Sequence, residues 1–299
     1  MFFFIVFFAC LAPSPVKSQN ALPQKINVII LAGQSNMAGQ GGVSYDAATN
    51  NITWDGVVPE QCQPNPSILR LSVNLTWVEA REPLHADIDA TKVNGIGPGM
   101  PFANEVLTRD PSFGTVGLVP CAIGGTNISQ WQKGESLYQQ LMRRATTAVQ
   151  GGGVYAAMLW YQGESDTWIK EEAELYKGRL TKFFTDFRSD LQAPSLPIFQ
   201  VALASGEGPY VEIVREAQLG LNLSNVQCVD AKGLPLLEPD RLHLTSTAQV
   251  TLGQKLADAF LRYNQSNINL SSNNASTKSF SCFLFCLLIV LWMNLVYKS

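Results

Sequence analysis

The chain has 299 residues, a formal charge of −3 and a pI near 5.5, so it lacks the basic field that nucleic-acid binding needs. With only two histidines, and neither a His-Glu-x-x-His helix nor a paired-cysteine motif, there is little from which to build a zinc centre, and neither metal nor other cofactor is expected. Of six cysteines, Cys10, Cys282 and Cys286 lie in terminal apolar runs, leaving Cys62, Cys121 and Cys228. That odd set permits one disulfide and one free thiol but not a disulfide scaffold.

The chain opens on an apolar run, Met1 to Cys10, succeeded by Ala-Pro-Ser-Pro, with small residues at Val16 and Ser18 where a signal peptidase would cut. Residues 1–18 are therefore expected to be a signal peptide, with a start-anchor helix as the competing reading because no basic residue precedes the run. Ile26 to Leu31 is continuously apolar and β-branched, the habit of a parallel strand buried on both faces. Val116 to Cys121, Ala156 to Tyr161 and Ile198 to Leu203 repeat it, and Asn225 to Val229 is a shorter candidate. Helices are predicted over Phe102 to Thr108, Tyr138 to Val149, Glu171 to Leu191, Tyr210 to Leu221 and Thr245 to Tyr263. Strands alternating with helices predict one α/β domain over residues 19–263, a doubly wound α/β sandwich. The Gly- and Pro-rich stretch from Gly39 to Gly99 breaks the alternation and is expected to be a functional excursion over the sheet edge. After a polar linker, 264–279, comes an apolar tail, 280–299. It reads either as a lipid-anchor signal, with Ser271 to Asn274 as candidate attachment points, or as a single span with Lys298 on the cytoplasmic side. Sequons at Asn51, Asn74, Asn222, Asn264, Asn269 and Asn274 agree with a secretory route to the cell surface. Asn127 also fits, but stands among candidate site residues.

Ligands of such sheets bind beyond the carboxyl ends of the strands, so the chemistry should lie in the segments at the strand exits. These are Gly33-Gln-Ser-Asn36, Ala122-Ile-Gly-Gly-Thr126 and Gln162-Gly-Glu-Ser-Asp166, all expected on one rim. Ser35, directly after a buried strand, is a candidate nucleophile, although a turn with Ser35 or Asn36 as a helix cap would look the same. His243 is the candidate base, with Asp240 three residues before it able to orient the ring. The backbone N–H groups of Ser35 and of Gly124 or Gly125, and the Gln162 amide, are candidate donors to an oxyanion. Trp131 is the candidate sugar-stacking ring among Trp54, Trp77, Trp131 and Trp168, and His85 and Glu82 are candidates for the cleft border.

Five ordered blocks then carry a resemblance: Ile30 to Gly39, Gly95 to Phe102, Ile123 to Thr126, Trp160 to Asp166 and Asp240 to His243. Over roughly Lys25 to Tyr263 the chain resembles the sialate O-acetylesterase-like domain, and more closely the plant carbohydrate esterases of carbohydrate esterase family 6, within the SGNH hydrolases. The resemblance implies a flavodoxin-like, three-layer α/β/α sandwich with a mainly parallel sheet. It implies Ser35 as nucleophile, His243 as base, Asp240 as its acid, and Gln162 in the oxyanion position that other SGNH enzymes give to asparagine. Glu164 is the alternative acid. The expected activity is a cofactor-free, serine-dependent release of acetate from acetylated carbohydrate, with the membrane reached through the tail. An anchored carbohydrate-binding protein without turnover, and an esterase of broader short-chain specificity, remain the alternatives.

Overall fold

The computed structural model describes residues 25–267. The apolar run after Lys25 forms strand β1 (Ile26–Gly33), whose residues from Val28 on are buried. It turns into the single-turn helix α1 (Ser35–Ala38). The hairpin β2 (Val43–Asp46) and β3 (Asn51–Trp54) comes next, then β4 (Ile68–Leu71) and β5 (Trp77–Glu79). The alternating portion comprises α2 (Gly99–Arg109), β6 (Thr115–Pro120), α3 (Ser136–Ala148), β7 (Val154–Tyr161), α4 (Lys170–Asp190), β8 (Ile198–Ala202), α5 (Val211–Leu219) and β9 (Val226–Asp230). A last helix, α6, covers residues 246–267 and so runs past the predicted domain end at Tyr263 into the expected linker.

The main sheet has seven strands in the order β5-β4-β6-β1-β7-β8-β9. All neighbours pair in parallel except β5, which runs antiparallel to β4 at one edge. Helices cover both faces, as burial of a parallel sheet requires. On one face Phe260 of α6 meets Phe102 of α2 at 5.6 Å and Phe199 of β8 at 5.8 Å between ring centroids. On the other, Phe183 of α4 packs on Trp160 of β7 at 4.7 Å and on Tyr138 of α3 at 6.2 Å. The result is the predicted three-layer α/β/α sandwich.

The excursion from Gly39 to Gly99 differs from expectation. It does not merely cross the edge; it supplies β4 and β5 to the sheet itself. The buried guanidinium of Arg144 ties this edge down, donating to Pro120 O at 2.7 Å, Ser72 O at 3.0 Å and Leu71 O at 2.7 Å. Cys62, Cys121 and Cys228 are all free thiols, so no disulfide forms among them. The expected signal peptide, the tail, the sequons at Asn269 and Asn274 and most of the linker lie outside the described residues. Among the described residues no helix is long and apolar enough to cross a membrane.

Candidate active site

β1 is the central strand, flanked by β6 and β7, so the chain leaves it in opposite directions on its two sides. This is where an open α/β sheet forms a crevice at its carboxyl ends. At the exit of β1, Gly33 has φ 134°, and a Cβ there would lie 2.0 Å from Tyr161 O. Only glycine lets the chain turn so tightly against β7. Gln34, fully buried, locks the turn: its N–H donates to Tyr161 O at 2.8 Å, and its Oε1 accepts from Gly163 N at 3.1 Å. Ser35 is thereby held at the mouth of the crevice, 6% exposed.

The loop before α6 brings His243 to it across 208 residues of sequence, with Nε2 2.9 Å from Ser35 Oγ. His243 Nδ1 lies 2.7 Å from Asp240 Oδ2, while Asp240 Oδ1 accepts the backbone N–H groups of Leu242 at 2.9 Å and His243 at 3.2 Å. With Nδ1–H donated to Asp240, Nε2 is left as the acceptor for the serine hydroxyl. Chain order, spacing and contacts are those of a hydroxyl that a base can deprotonate.

Asn36, in the sequence no more than a possible cap, has a larger part. Its Nδ2 donates to Glu164 Oε1 at 2.8 Å and to Leu242 O at 3.3 Å, and its Oδ1 accepts from Leu244 N at 2.9 Å. It thus clasps both residues flanking His243. Ser205 adds a second clasp, its hydroxyl donating to Leu242 O at 2.5 Å. No periodicity or motif marks either contact; the partners are too far apart along the chain.

Ser35, Gly125 and His243 line one cleft of about 420 Å³ with Gln40, Ile52, Thr91, Lys92, Val93, Glu207 and Leu242. A larger cavity of about 620 Å³, between β9 and α6, holds Cys228 but no histidine beside it. Although solvent reaches the residue, partial desolvation and the neighbouring Asp230 carboxylate push that thiol up to about 11, which makes it a poor nucleophile. The cleft is the candidate active site.

Four expectations need correction. Gln162 is fully buried, and its amide nitrogen is committed to Asp166 Oδ2 at 2.6 Å, Thr126 O at 2.8 Å and Gln34 Oε1 at 3.2 Å, not to the cleft. Its amide is needed there because Asp166 is buried, and desolvation raises that carboxyl to about 7. Glu164, the alternative acid, hydrogen-bonds Asn36 and not His243; desolvation raises it to about 8, so at neutral pH it is largely an uncharged acid. Trp131 has no exposed surface: it packs edge-on against Trp160 at 5.3 Å and donates its indole N–H to Thr126 Oγ1 at 3.0 Å. His85, 1% exposed, is core, and neither it nor Glu82 lines the cleft. Gln162 and Glu164 depart for one reason: a polar residue in a glycine-rich exit loop can face inward to satisfy buried groups as readily as outward. The exposed tryptophan nearby is Trp168, 60% exposed, whose indole N–H donates to Glu207 Oε2 at 3.0 Å.

Of the donors considered for an oxyanion, the Gly124 N–H is occupied by Asp89 Oδ2 at 3.0 Å. The N–H groups of Ser35 and Gly125 have no acceptor among the described residues. Among those residues, too, no group of three or more His, Cys, Asp or Glu could hold a metal ion.

A crevice at the centre of a parallel sheet, with a hydroxyl, an imidazole and a carboxylate in hydrogen-bonded sequence, defines the class of α/β/α hydrolases. A family model described as carbohydrate esterase, sialic acid-specific acetylesterase, matches residues 25–262, and the chain belongs to that family of carboxylic ester hydrolases. It is 54% identical over 244 residues to the "Probable carbohydrate esterase At4g34215" of Arabidopsis thaliana, covering 81% of this chain and 93% of that protein. A solved structure of that Arabidopsis protein matches with a TM-score of 0.77 at 54% identity, over 80% of this chain and 99% of the other. The crystal structure of NanS shares the fold, with a TM-score of 0.64 at 16% identity, over 81% and 98% of the two chains.

Proposed function

We propose that this carbohydrate esterase is a serine-dependent O-acetylesterase that frees acetate from acetylated sugars or polysaccharides. The observation that carries the proposal is the unbroken contact from Ser35 Oγ to His243 Nε2, 2.9 Å, and from His243 Nδ1 to Asp240 Oδ2, 2.7 Å. In the first step Ser35 attacks the acetyl carbonyl while His243 takes its proton. The oxyanion forms against the free N–H groups of Ser35 and Gly125, and the proton passes to the departing sugar hydroxyl. In the second, water, deprotonated by His243, attacks the acetyl-serine; the bond between the acyl carbon and Ser35 Oγ breaks, His243 returns the proton to that oxygen, and acetate leaves. Asp240 stabilises the imidazolium in both steps. The cleft is open and lined by Gln40, Thr91 and Glu207 as well as Ile52 and Val93, which suits a sugar better than a long acyl chain. The apolar terminal runs further support an exported enzyme anchored at the outer cell surface; detergent-free recovery of the full-length protein in the cytosol would rule this out.

Acetate release from a panel of acetylated polysaccharides, with Ser35→Ala in parallel, tests the proposal. Acetate from the native protein and none above background from the variant is expected. Equal rates would remove the serine mechanism, and binding without release would favour a carbohydrate-binding protein. Octanoate esters turned over faster than acetate esters would replace the acetylesterase with a lipase-like enzyme.

A further inference from the structure

Lys92 belongs to the excursion between β5 and α2, far in sequence from any of the glycine-rich exit loops. Its ammonium donates to the Gly124 carbonyl at 2.6 Å. That carbonyl and the N–H of Gly125 belong to one planar peptide and point in opposite directions, so holding the oxygen also aims the N–H. The preceding peptide is held as well, since the Gly124 N–H donates to Asp89 Oδ2 at 3.0 Å, and Asp89 is 2% exposed. A turn presents the two side chains together: Lys92 N donates to Asp89 O at 3.0 Å. Both can come so close because the loop lacks side chains. A Cβ on Gly124 would sit 3.0 Å from Lys92 Nζ and 3.2 Å from Asp89 Oδ2, and one on Gly125, at φ 70°, 3.0 Å from the same ammonium.

We infer that Lys92 is a positioning residue for catalysis: by gripping the Gly124 carbonyl it orients and polarises the single peptide whose Gly125 N–H receives the oxyanion. This rests on the acyl-transfer reaction proposed above. A charged donor makes a hydrogen bond roughly twice as strong as a neutral one. Drawing electron density toward the carbonyl oxygen makes the N–H of the same amide a better donor. Negative charge grows on the acyl oxygen only in the transition state, so the gain appears in kcat and not in substrate binding. Since Lys92 also lines the cleft, the competing role is that of a direct ligand for an anionic group on the sugar, which would act on KM.

The test uses the full chain, a chromogenic acetate ester and a neutral acetylated polysaccharide, with Lys92→Arg, Lys92→Gln and Lys92→Met. Removing an oxyanion donor outright costs about 10²–10³-fold in kcat. Here the donor stays but is less well aimed and polarised, so Lys92→Met is expected to lose about tenfold in kcat with KM within about twofold. Lys92→Gln, a neutral donor, should fall between, and Lys92→Arg should recover most of the rate. Affinity for a methylphosphonate transition-state mimic that reacts at Ser35 should track kcat/KM through the series. A raised KM with unchanged kcat would overturn the inference in favour of substrate binding. Equal losses in all three variants alongside a lowered Tm would overturn it in favour of simple support of the loop. Failure of the underlying reaction would show separately, as native protein that releases no acetate or is matched by Ser35→Ala, and would overturn both.

Discussion

Asn36 Oδ1 accepts the backbone N–H of Leu244 at 2.9 Å, which joins the residue after Ser35 to the residue after His243. The Asn36 amide therefore helps to set the register between the two halves of the proposed catalytic pair, together with the Ser205 hydroxyl on Leu242 O. Asn36→Ala leaves Leu244 N–H and Glu164 without their partner, a cost of about 1–3 kcal/mol in stability. Loosening the His243 loop should also lower kcat by up to about 10²-fold, since sub-ångström placement governs proton transfer. Urea unfolding together with steady-state kinetics checks both; an unchanged kcat would show that the loop is held by other contacts.

Asp240, and not Glu164, touches the imidazole. Asp240→Asn is expected to cut kcat by about 10³–10⁴-fold, because an amide neither stabilises the imidazolium nor enforces the right tautomer. Glu164→Gln, which keeps the hydrogen bond to Asn36, should retain most of the activity. The reverse ranking in a single kinetic comparison would restore Glu164 as the acid.

Burial also makes Glu164 a contributor to the pH dependence of stability. Its carboxyl is raised from 4.5 to about 8 in the folded protein. Between those values the unfolded chain has lost this proton while the folded one keeps it, so stability falls as pH rises across the window. The contribution is whole below 4.5 and gone once pH passes about 8. Unfolding free energies at pH 5 and pH 8 should show Glu164→Gln gaining on the native protein as pH rises; a constant difference would mean that the carboxyl is ionised throughout.

His85 acts on the acid side. Desolvation lowers its imidazole from 6.5 to about 3. Unfolded chain takes up the proton first as pH falls, so the stability His85 contributes is complete above 6.5 and lost as pH drops toward 3. His85→Gln should flatten this limb in acid-denaturation curves. Because the ring lies in the core and not in the cleft, substrate KM should not move.

Trp131 and Trp168 are expected to separate cleanly. Trp131→Ala empties a fully buried site and should cost about 3–5 kcal/mol. Trp168→Ala removes an exposed ring beside Glu207 and should leave Tm nearly unchanged while raising KM for polysaccharide more than for a small acetate ester. Polysaccharide kinetics indistinguishable from native would exclude Trp168 from substrate contact.

The layered α/β plan was legible because burial on both faces imposes continuous β-branched runs such as Ile26 to Leu31, and one amphipathic segment after another alternates with them. Ser35 and the Asp240–His243 spacing were legible for a related reason: a strand exit and a three-residue step are local features, written in adjacent letters. What those letters cannot carry is direction. Whether Gln162 and Trp131 face the cleft or the core depends on Asp166, Thr126 and Trp160, which only the folded chain brings against them. Ile68 to Leu71 is too short, and broken by Arg70, to announce itself as a sheet strand, so β4 became visible only through its pairing with β6. The grip of Lys92 on Gly124, and of Asn36 on the loop of His243, likewise joins segments with no common local signal. Short-range pattern determined which residue types could do chemistry; long-range packing alone decided which of them face one another.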